Sequence, residues 1–124
     1  MGRTEIRGSH IKDDSLTGSD IDESTLRIDV KDVNSSYEIL NTDYLIRCIQ
    51  GSGITLTLPT KSNNSGKIII IKDVLGRAGT HSITIAAAGS DTIDGSGTFV
   101  VNVNYRSVTI ICDGINGWMI TSVV

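Results

Sequence analysis

Short stretches in which apolar and polar residues alternate recur along most of this sequence, and they constrain its fold more than any other feature. The alternation has a period of two, which is the period of a β-strand with one buried face. It is clearest in residues 26–30, 54–58, 83–85, 101–103 and 108–112. No stretch of ten or more residues shows a convincing period of 3.6, so we expect at most one short helical turn.

Clusters of Gly, Asn, Asp and Ser separate these stretches, and such residues favour turns. Together they predict eight or nine strands from residue 36 onward, at intervals of roughly ten residues. That spacing is typical of an all-β fold, an antiparallel β-sandwich or a jelly-roll-like barrel. The continuous apolar run 68–71 is expected of a strand covered on both sides. The residues predicted to be buried are Ile54, Leu56, Ile69, Ile83, Ile85, Val101 and Ile110.

Residues 1–33 have a different character, because they hold most of the closely spaced acids and show a period of five. Apolar residues at this spacing are Ile11, Leu16, Ile21 and Leu26. Five is neither a helix period nor a flat-strand period, and it resembles the pentapeptide pattern of square β-helices. Four units make one coil, and one coil cannot bury its own interior, since repeat units need about three copies.

We therefore predict two parts, an extended N-terminal arm or stem at residues 1–33 and a β-sandwich head at residues 34–124. The four apolar residues of the arm are the predicted contacts between copies of the chain, which implies arms intertwined in an oligomer. The alternative is a solvated acidic arm whose spacing is accidental.

The composition narrows the range of partners. The chain is 39% hydrophobic and 20% charged, so it can bury a core, and its net charge of −3 argues against nucleic acid or an anionic membrane as a partner.

No run approaches the roughly 20 apolar residues of a membrane span. The first ten residues lack the apolar run of a signal peptide. Residues 7–10, Arg-Gly-Ser-His, are either native sequence or the remnant of an expression tag.

The residues needed for catalysis are scarce. The two histidines are His10, in the arm, and His81, in a predicted turn. Cys48 and Cys112 each lie in an apolar run without a base nearby in sequence, which favours buried free thiols. A disulfide is the alternative, and it requires the two strands to be neighbours. We therefore expect no enzymatic activity and no cofactor.

Two kinds of ion site were also considered. Residues 91–95 and 113–117 carry oxygen ligands for calcium, but neither matches the twelve-residue loop with its terminal Glu. Turn conformation alone explains their Asp and Gly residues, so we expect no metal. Residues 76–79, Gly-Arg-Ala-Gly, lack the Lys-Ser/Thr of a phosphate loop, and they predict a β-hairpin turn.

Ligand contacts in a rigid sandwich are expected on turn tips, here residues 73–79, 94–97 and 113–117. Trp118 has two interpretations: its ring stacks on a sugar, or it packs the last strand onto the core. The candidate ligand contacts are Arg77, Ile115 and Trp118.

Several motifs resemble those of bacteriophage proteins. The segments GSHIKD (8–13), LTGSDI (16–21) and STL (24–26) resemble linkers and stems of phage tail fibres. The segments GITLTLP (53–59), GKIIIIKD (66–73), DTIDG (91–95) and CDG (112–114) with the Trp at 118 resemble β modules of phage fibres and appendages.

This resemblance implies a homotrimer in the virion that contacts other virion proteins and a host-surface glycan. It implies a non-enzymatic structural module of a tail fibre or similar appendage, which either contributes to host attachment or acts as a scaffold without a ligand. The first alternative is an extracellular carbohydrate-binding module, and the second is a hydrolase fragment.

Overall fold

The computed structural model describes residues 27–124, and in that part of the chain ten β-strands form two sheets without a helix. The strands are β1 Val30–Val33, β2 Tyr37–Glu38, β3 Leu45–Cys48, β4 Ile54–Thr57, β5 Ile68–Asp73, β6 Ile83–Ala86, β7 Thr92–Ile93, β8 Thr98–Val101, β9 Ser107–Cys112 and β10 Gly117–Val123. The predicted all-β, sandwich-like fold is confirmed. Nine of these strands, β2 to β10, lie after residue 36, as the turn spacing predicts.

The chain alternates between the two sheets. One sheet has six strands in the order β1-β3-β5-β9-β10-β7, and the other has four in the order β2-β4-β6-β8. Each strand up to β8 is followed by a strand of the opposite sheet, and only the last hairpin, β9–β10, stays in one sheet.

Successive strands of one sheet are linked through the other sheet, and up to β6 they run in the same direction. β1, β3 and β5 pair in parallel, as do β2, β4 and β6. Antiparallel pairs join β9 to β5 and β10, and β8 to β6. The sheets are therefore mixed, and the expectation of purely antiparallel pairing is corrected, because period-two alternation carries no information about strand direction.

The core lies between the two sheets and consists mainly of Ile, Val and Leu side chains. All seven residues predicted to be buried belong to it: Ile54 is 4% exposed, and the other six are 1% exposed or less. β5 shows the pattern well, because Ile69 and Ile71 point inward while Ile68 and Ile70 stay partly exposed on the outer face.

The two cysteines are free and buried, which confirms the prediction made from their apolar surroundings. Cys48 ends β3 and Cys112 ends β9, and β5 separates these strands in the sheet. Burial, helped by the negative charge of Asp73, raises the pKa of the Cys48 thiol to about 12. Burial also raises the pKa of Cys112. Both thiols are therefore protonated near neutral pH and are poor nucleophiles.

Two predictions concern segments whose place the structure now defines. Residues 76–79 turn within the loop from β5 to β6, and these strands belong to different sheets, so the prediction of a β-hairpin turn is wrong. Val30–Val33, the last residues of the predicted arm, form β1 at the edge of the six-stranded sheet. The predicted contacts Ile11, Leu16, Ile21 and Leu26 lie outside the described residues.

We predict that Ile69→Ala lowers the free energy of unfolding by about 2–5 kcal/mol, the range for removing a large side chain from a packed core. Ile69 is fully buried and faces β9 through its pairing with Ile110. Urea unfolding measures the loss. Val103→Ala is the control, because Val103 is 46% exposed in a loop and should change stability by no more than about 0.5 kcal/mol. Equal effects of the two changes would contradict this assignment of the core.

Candidate functional site

The outer face of the four-stranded sheet is mostly polar. Across the sheet, Thr55 pairs with Thr84 and Thr84 with Val100, and these three side chains form one cross-strand row. The next row on this face is Thr57, Ala86 and Thr98. Threonine suits a solvated strand, because its branched side chain fits the pleat and its hydroxyl contacts water. Polar side chains of this kind are expected on a sheet face that is exposed to solvent.

The outer face of the six-stranded sheet is more apolar, although its rows also contain Thr109, opposite Ile70, and Ser107, opposite Lys72. Val30 pairs with Leu45 and Leu45 with Ile70, which places these three side chains in one row. A second row joins Ile68 to Ile111 and Ile111 to Met119. We call the set of six the apolar outer face: Val30, Leu45, Ile68, Ile70, Ile111 and Met119.

These side chains are only partly covered within residues 27–124. Val30 is 49% exposed and Met119 is 40% exposed, and the other four are intermediate. Ile28, two residues before Val30, is 52% exposed. Contiguous apolar patches of this kind are typical of interaction surfaces. The apolar outer face is therefore the strongest candidate site on the described part of the molecule.

A charged row borders the apolar outer face. Asp32 pairs with Arg47 and Arg47 with Lys72 across the strands. The Arg47 guanidinium donates to both Asp32 carboxylate oxygens, at 2.6 and 2.8 Å, and Lys72 Nζ donates to the backbone oxygen of Tyr105. Both members of the Asp32–Arg47 pair are well exposed, so the pair adds little to stability. The row carries one net positive charge along one border of the apolar outer face.

The candidate ligand contacts Arg77 and Ile115 lie at opposite ends of the sandwich. β5 and β9 run antiparallel, so the loop after β5 and the turn after β9 emerge at opposite ends of these six-residue strands. At about 3.4 Å per residue, roughly 15–20 Å separates the two ends. The structure therefore does not bring the two residues into a single site. We call the two ends the Asp73 end and the Asp113 end.

At the Asp73 end, one buried carboxylate holds two loops together. Asp73 accepts hydrogen bonds from the backbone N–H groups of Ala78 at 2.9 Å, Tyr105 at 3.0 Å and Arg77 at 3.2 Å. Burial alone would raise the pKa of Asp73, but these three donors outweigh it and hold the pKa below the usual value of 3.8. Arg77 is anchored through its backbone N–H and also through its guanidinium, whose Nη1 donates to the Gln50 oxygen at 3.2 Å, although the residue is exposed.

At the Asp113 end, the turn between β9 and β10 is organised by the Asp113 side chain. Its Oδ1 accepts hydrogen bonds from Gly117 N at 3.0 Å, Ile115 N at 2.7 Å and Asn116 N at 2.8 Å, and these bonds lower its pKa. The same carboxylate that could have suggested a calcium ligand is thus engaged in turn formation. The turn presents Ile115, which is 74% exposed.

Trp118 is not available as a surface contact. It is 2% exposed, and its Nε1 donates to the Pro59 oxygen at 3.3 Å, so it packs the last strand onto the core. We therefore remove Trp118 from the candidate ligand contacts, and the carbohydrate-binding alternative loses the residue on which it relied. The exposed aromatic ring is Tyr105, at 59%, which sequence analysis missed. The feature of the sequence that indicates this exposure is the position of Tyr105 between two polar residues, in Asn-Tyr-Arg.

Residues 27–124 contain a shallow cleft of about 230 Å³ at the Asp113 end, and its lining carries one charged residue, Glu38. It is smaller than the roughly 300–1,000 Å³ typical of ligand pockets. In the same residues no group of three or more His, Cys, Asp or Glu side chains is placed to hold a metal ion. This part of the chain also has no helix long and apolar enough to cross a membrane.

Comparison with known families assigns the chain to a family. A family model described as Bacteriophage T4 gp9/10-like protein, N-terminal, matches residues 28–121, from just before β1 into β10. The chain belongs to this family. The gp9/10-like family is one of phage tail-fibre and appendage proteins, so the chain is a virion protein, as the sequence resemblance implies. The comparison with curated proteins finds no match.

In this gp9/10-like domain, we predict that Asp73→Asn lowers the free energy of unfolding at pH 7 by about 2 kcal/mol, because hydrogen bonds to a charged group contribute about 1.5–3 kcal/mol. A folded-state pKa below the unfolded value means that the carboxylate stabilises the protein above about pH 4. This stabilisation disappears as the pH falls through the folded-state pKa. Urea unfolding between pH 7 and pH 2 should show the two stability curves converging in acid.

The matched control is Asp32→Asn, which removes a carboxylate from the exposed pair with Arg47. Its effect should stay below about 1 kcal/mol at any pH. Parallel curves for Asp73→Asn and the unaltered protein would show that the Asp73 charge does not hold the loops.

Proposed function

We propose that this chain is a homotrimeric, non-enzymatic structural module of a phage tail fibre or similar appendage. The observation that carries this proposal is the apolar outer face of the six-stranded sheet. A monomer would leave these side chains in contact with water, whereas an assembly buries them and gains free energy in proportion to the apolar area covered. Membership of a phage structural family supports the same role and implies contacts with other virion proteins.

The proposed lack of enzymatic activity rests on the state of the two cysteine thiols. The Cys48 thiol has its pKa raised to about 12, and the Cys112 Sγ is buried and directed toward the Lys61 oxygen, 3.9 Å away. A hydrolase needs an activated nucleophile beside a base, and neither thiol is such a nucleophile.

We propose two parts, as the sequence predicts: residues 1–33 act as the arm or stem and residues 34–124 act as the head. The last residues of the arm, Val30–Val33, join the six-stranded sheet of the head as β1. The five-residue spacing of Ile11, Leu16, Ile21 and Leu26 gives the arm apolar side chains that one coil cannot bury, so they are the proposed contacts between copies. Three copies together would supply the number of units that repeat structures need.

We predict a solution molar mass of about three times the 13.2 kDa of one chain. Light scattering at micromolar concentration measures it. Deleting residues 1–25 should weaken assembly more than it weakens the head, because the core strands lie later in the chain and share their own interior. A monomeric full-length chain would refute the trimer. A truncated chain that cannot fold would refute the division into arm and head.

We also propose that the module contributes to host attachment through its turn tips. Ile115 and Arg77 are exposed on backbones that Asp113 and Asp73 hold rigid. Each tip is small and the two ends are far apart, so a single head should bind a host-surface glycan weakly. Three copies would gain strength by engaging repeated ligands together.

We predict that Ile115→Ser lowers retention of the assembled protein on host cells while leaving its thermal stability unchanged. The Asp113 hydrogen bond to residue 115 comes from the backbone N–H and survives the substitution. Val100→Ser, on the outer face of the other sheet, is the control for loss of an exposed apolar side chain. Retention that is unchanged by Ile115→Ser and Arg77→Ala together would leave the module a scaffold without a host ligand.

A further inference from the structure

We infer that the Asp73 end binds an acidic sugar, a saccharide ring that carries a carboxylate or a phosphate. The sugar ring lies on the Tyr105 side chain, with its anionic group next to Lys72 and Arg77. This inference rests on the proposed role in host attachment, and it names the class of glycan and the residues that recognise it.

The Tyr105 side chain is 59% exposed, yet its position is fixed. Its backbone has a φ of 63°, a left-handed conformation that is costly for a bulky residue and that clusters at ligand sites. Its N–H donates to Asp73 at 3.0 Å. A Cβ added to Gly76 would collide with the Tyr105 ring, so the glycine lets the ring pack directly on the loop backbone. A ring held in this way loses little entropy when a sugar stacks on it.

Lys72 and Arg77 bring positive charge to this ring. Lys72 Nζ lies 6.0 Å from the centre of the Tyr105 ring and donates to the Tyr105 oxygen. Arg77 follows Gly76, and its guanidinium uses Nη1 on the Gln50 oxygen. Within residues 27–124 no carboxylate forms a salt bridge with either cation. Both side chains therefore keep charged N–H donors for a carboxylate or a phosphate.

The charges at the two ends of the sandwich favour an acidic ligand at the Asp73 end. Residues 72–79 and 102–106 carry one acid, the buried Asp73, and three cations, Lys72, Arg77 and Arg106. At the Asp113 end, residues 91–95 and 113–117 carry three acids, and Lys61 contacts both segments. The first end is thus net positive in its loops and the second is net negative. An acidic sugar is attracted to the first and not to the second.

An amide next to the ring suits the hydroxyl groups of a sugar. Asn104 is exposed and precedes Tyr105, and its Oδ1 accepts a hydrogen bond from Gly79 N at 2.7 Å. This bond orients the side chain and leaves Nδ2 to donate to a hydroxyl oxygen. The Asp73 end therefore offers an aromatic surface, an oriented amide and two cations, each suited to a different part of an acidic sugar.

The test measures binding of the full-length protein to surfaces that display defined sugars, by biolayer interferometry. Trigalacturonate supplies the carboxylate and mannotriose phosphate supplies the phosphate, with galactotriose and mannotriose as their neutral matches. At least one acidic sugar should bind at least about tenfold more tightly than its neutral match, because its anionic group adds charge-assisted hydrogen bonds. The acidic sugar that binds identifies the anionic group that the site prefers.

Substitutions locate the binding. Tyr105→Asn removes the ring and keeps the backbone, because asparagine tolerates a positive φ. This change and Lys72→Gln should each lower the affinity at least about tenfold, whereas Tyr105→Phe should keep it within about twofold, because the ring remains. The matched control is Lys31→Gln, which removes the same charge from a lysine that also lies over a tyrosine ring, 5.4 Å from the centre of Tyr37. Thermal melting verifies that each variant is folded.

Several outcomes would overturn the inference. They are no binding to either acidic sugar, equal binding to the acidic and neutral sugars, and binding that Tyr105→Asn leaves unchanged. Equal losses from Lys72→Gln and Lys31→Gln would assign the effect to net charge rather than to this site.

Retention on host cells separates this inference from the proposed attachment. Retention that falls with Ile115→Ser but not with Tyr105→Asn would refute the acidic-sugar site alone. Retention that is also unchanged by Ile115→Ser and Arg77→Ala together would refute host attachment as well.

Discussion

Each strand of this protein has one face to bury, and the chain achieves this by crossing between two sheets after almost every strand. Because the crossings alternate, the inward side chains of both sheets meet in one core of Ile, Val and Leu, and even Ile69 at its centre has no exposed surface. The first strands of each sheet pair in parallel along this path, β1–β3–β5 in one sheet and β2–β4–β6 in the other. The loops and the outer faces take their positions from the same packing, so the candidate interaction surfaces depend on it as well.

Two aspartates convert this sandwich into a rigid platform. Asp73 joins the loop after β5 to the loop before β9, and Asp113 closes the turn between β9 and β10. Each carboxylate accepts three backbone N–H groups that would otherwise need water or another partner. Ordered turn tips lose less conformational entropy on binding than flexible ones, which is useful for a module that contacts other surfaces.

The two outer faces divide the molecule into unlike sides. The threonine-rich face of the four-stranded sheet meets water at little cost, whereas the apolar outer face of the six-stranded sheet does not. Edge strands add to this difference, since β1 pairs on one side only and carries Val30 at the border of the apolar face. A phage appendage protein works within an assembly. A module with one solvated polar face and one apolar face is suited to contacts within such an assembly.

Much of the fold follows from the sequence, because alternation and turn residues report local conformation and the side that each strand buries. They predicted the all-β class, the number of strands after residue 36 and the buried residues from Ile54 to Ile110. They also predicted that Cys48 and Cys112 are free and that Arg77 and Ile115 stand on exposed turns. The continuous run 68–71 predicted a strand covered on both sides, whereas within residues 27–124 Ile68 and Ile70 stay partly exposed.

The tertiary structure alone decided strand direction, sheet order and the surroundings of individual side chains. Period two is the same in parallel and antiparallel strands, so the alternation could not reveal the crossings that make residues 76–79 a link between sheets. Exposure of a single aromatic depends on partners distant in sequence: Trp118 is buried against Pro59, while Tyr105 stands exposed beside Lys72. The contrast between the outer faces likewise appears only when the register aligns Leu45 with Ile70 and Thr55 with Thr84, because cross-strand neighbours are set by pairing and not by sequence proximity.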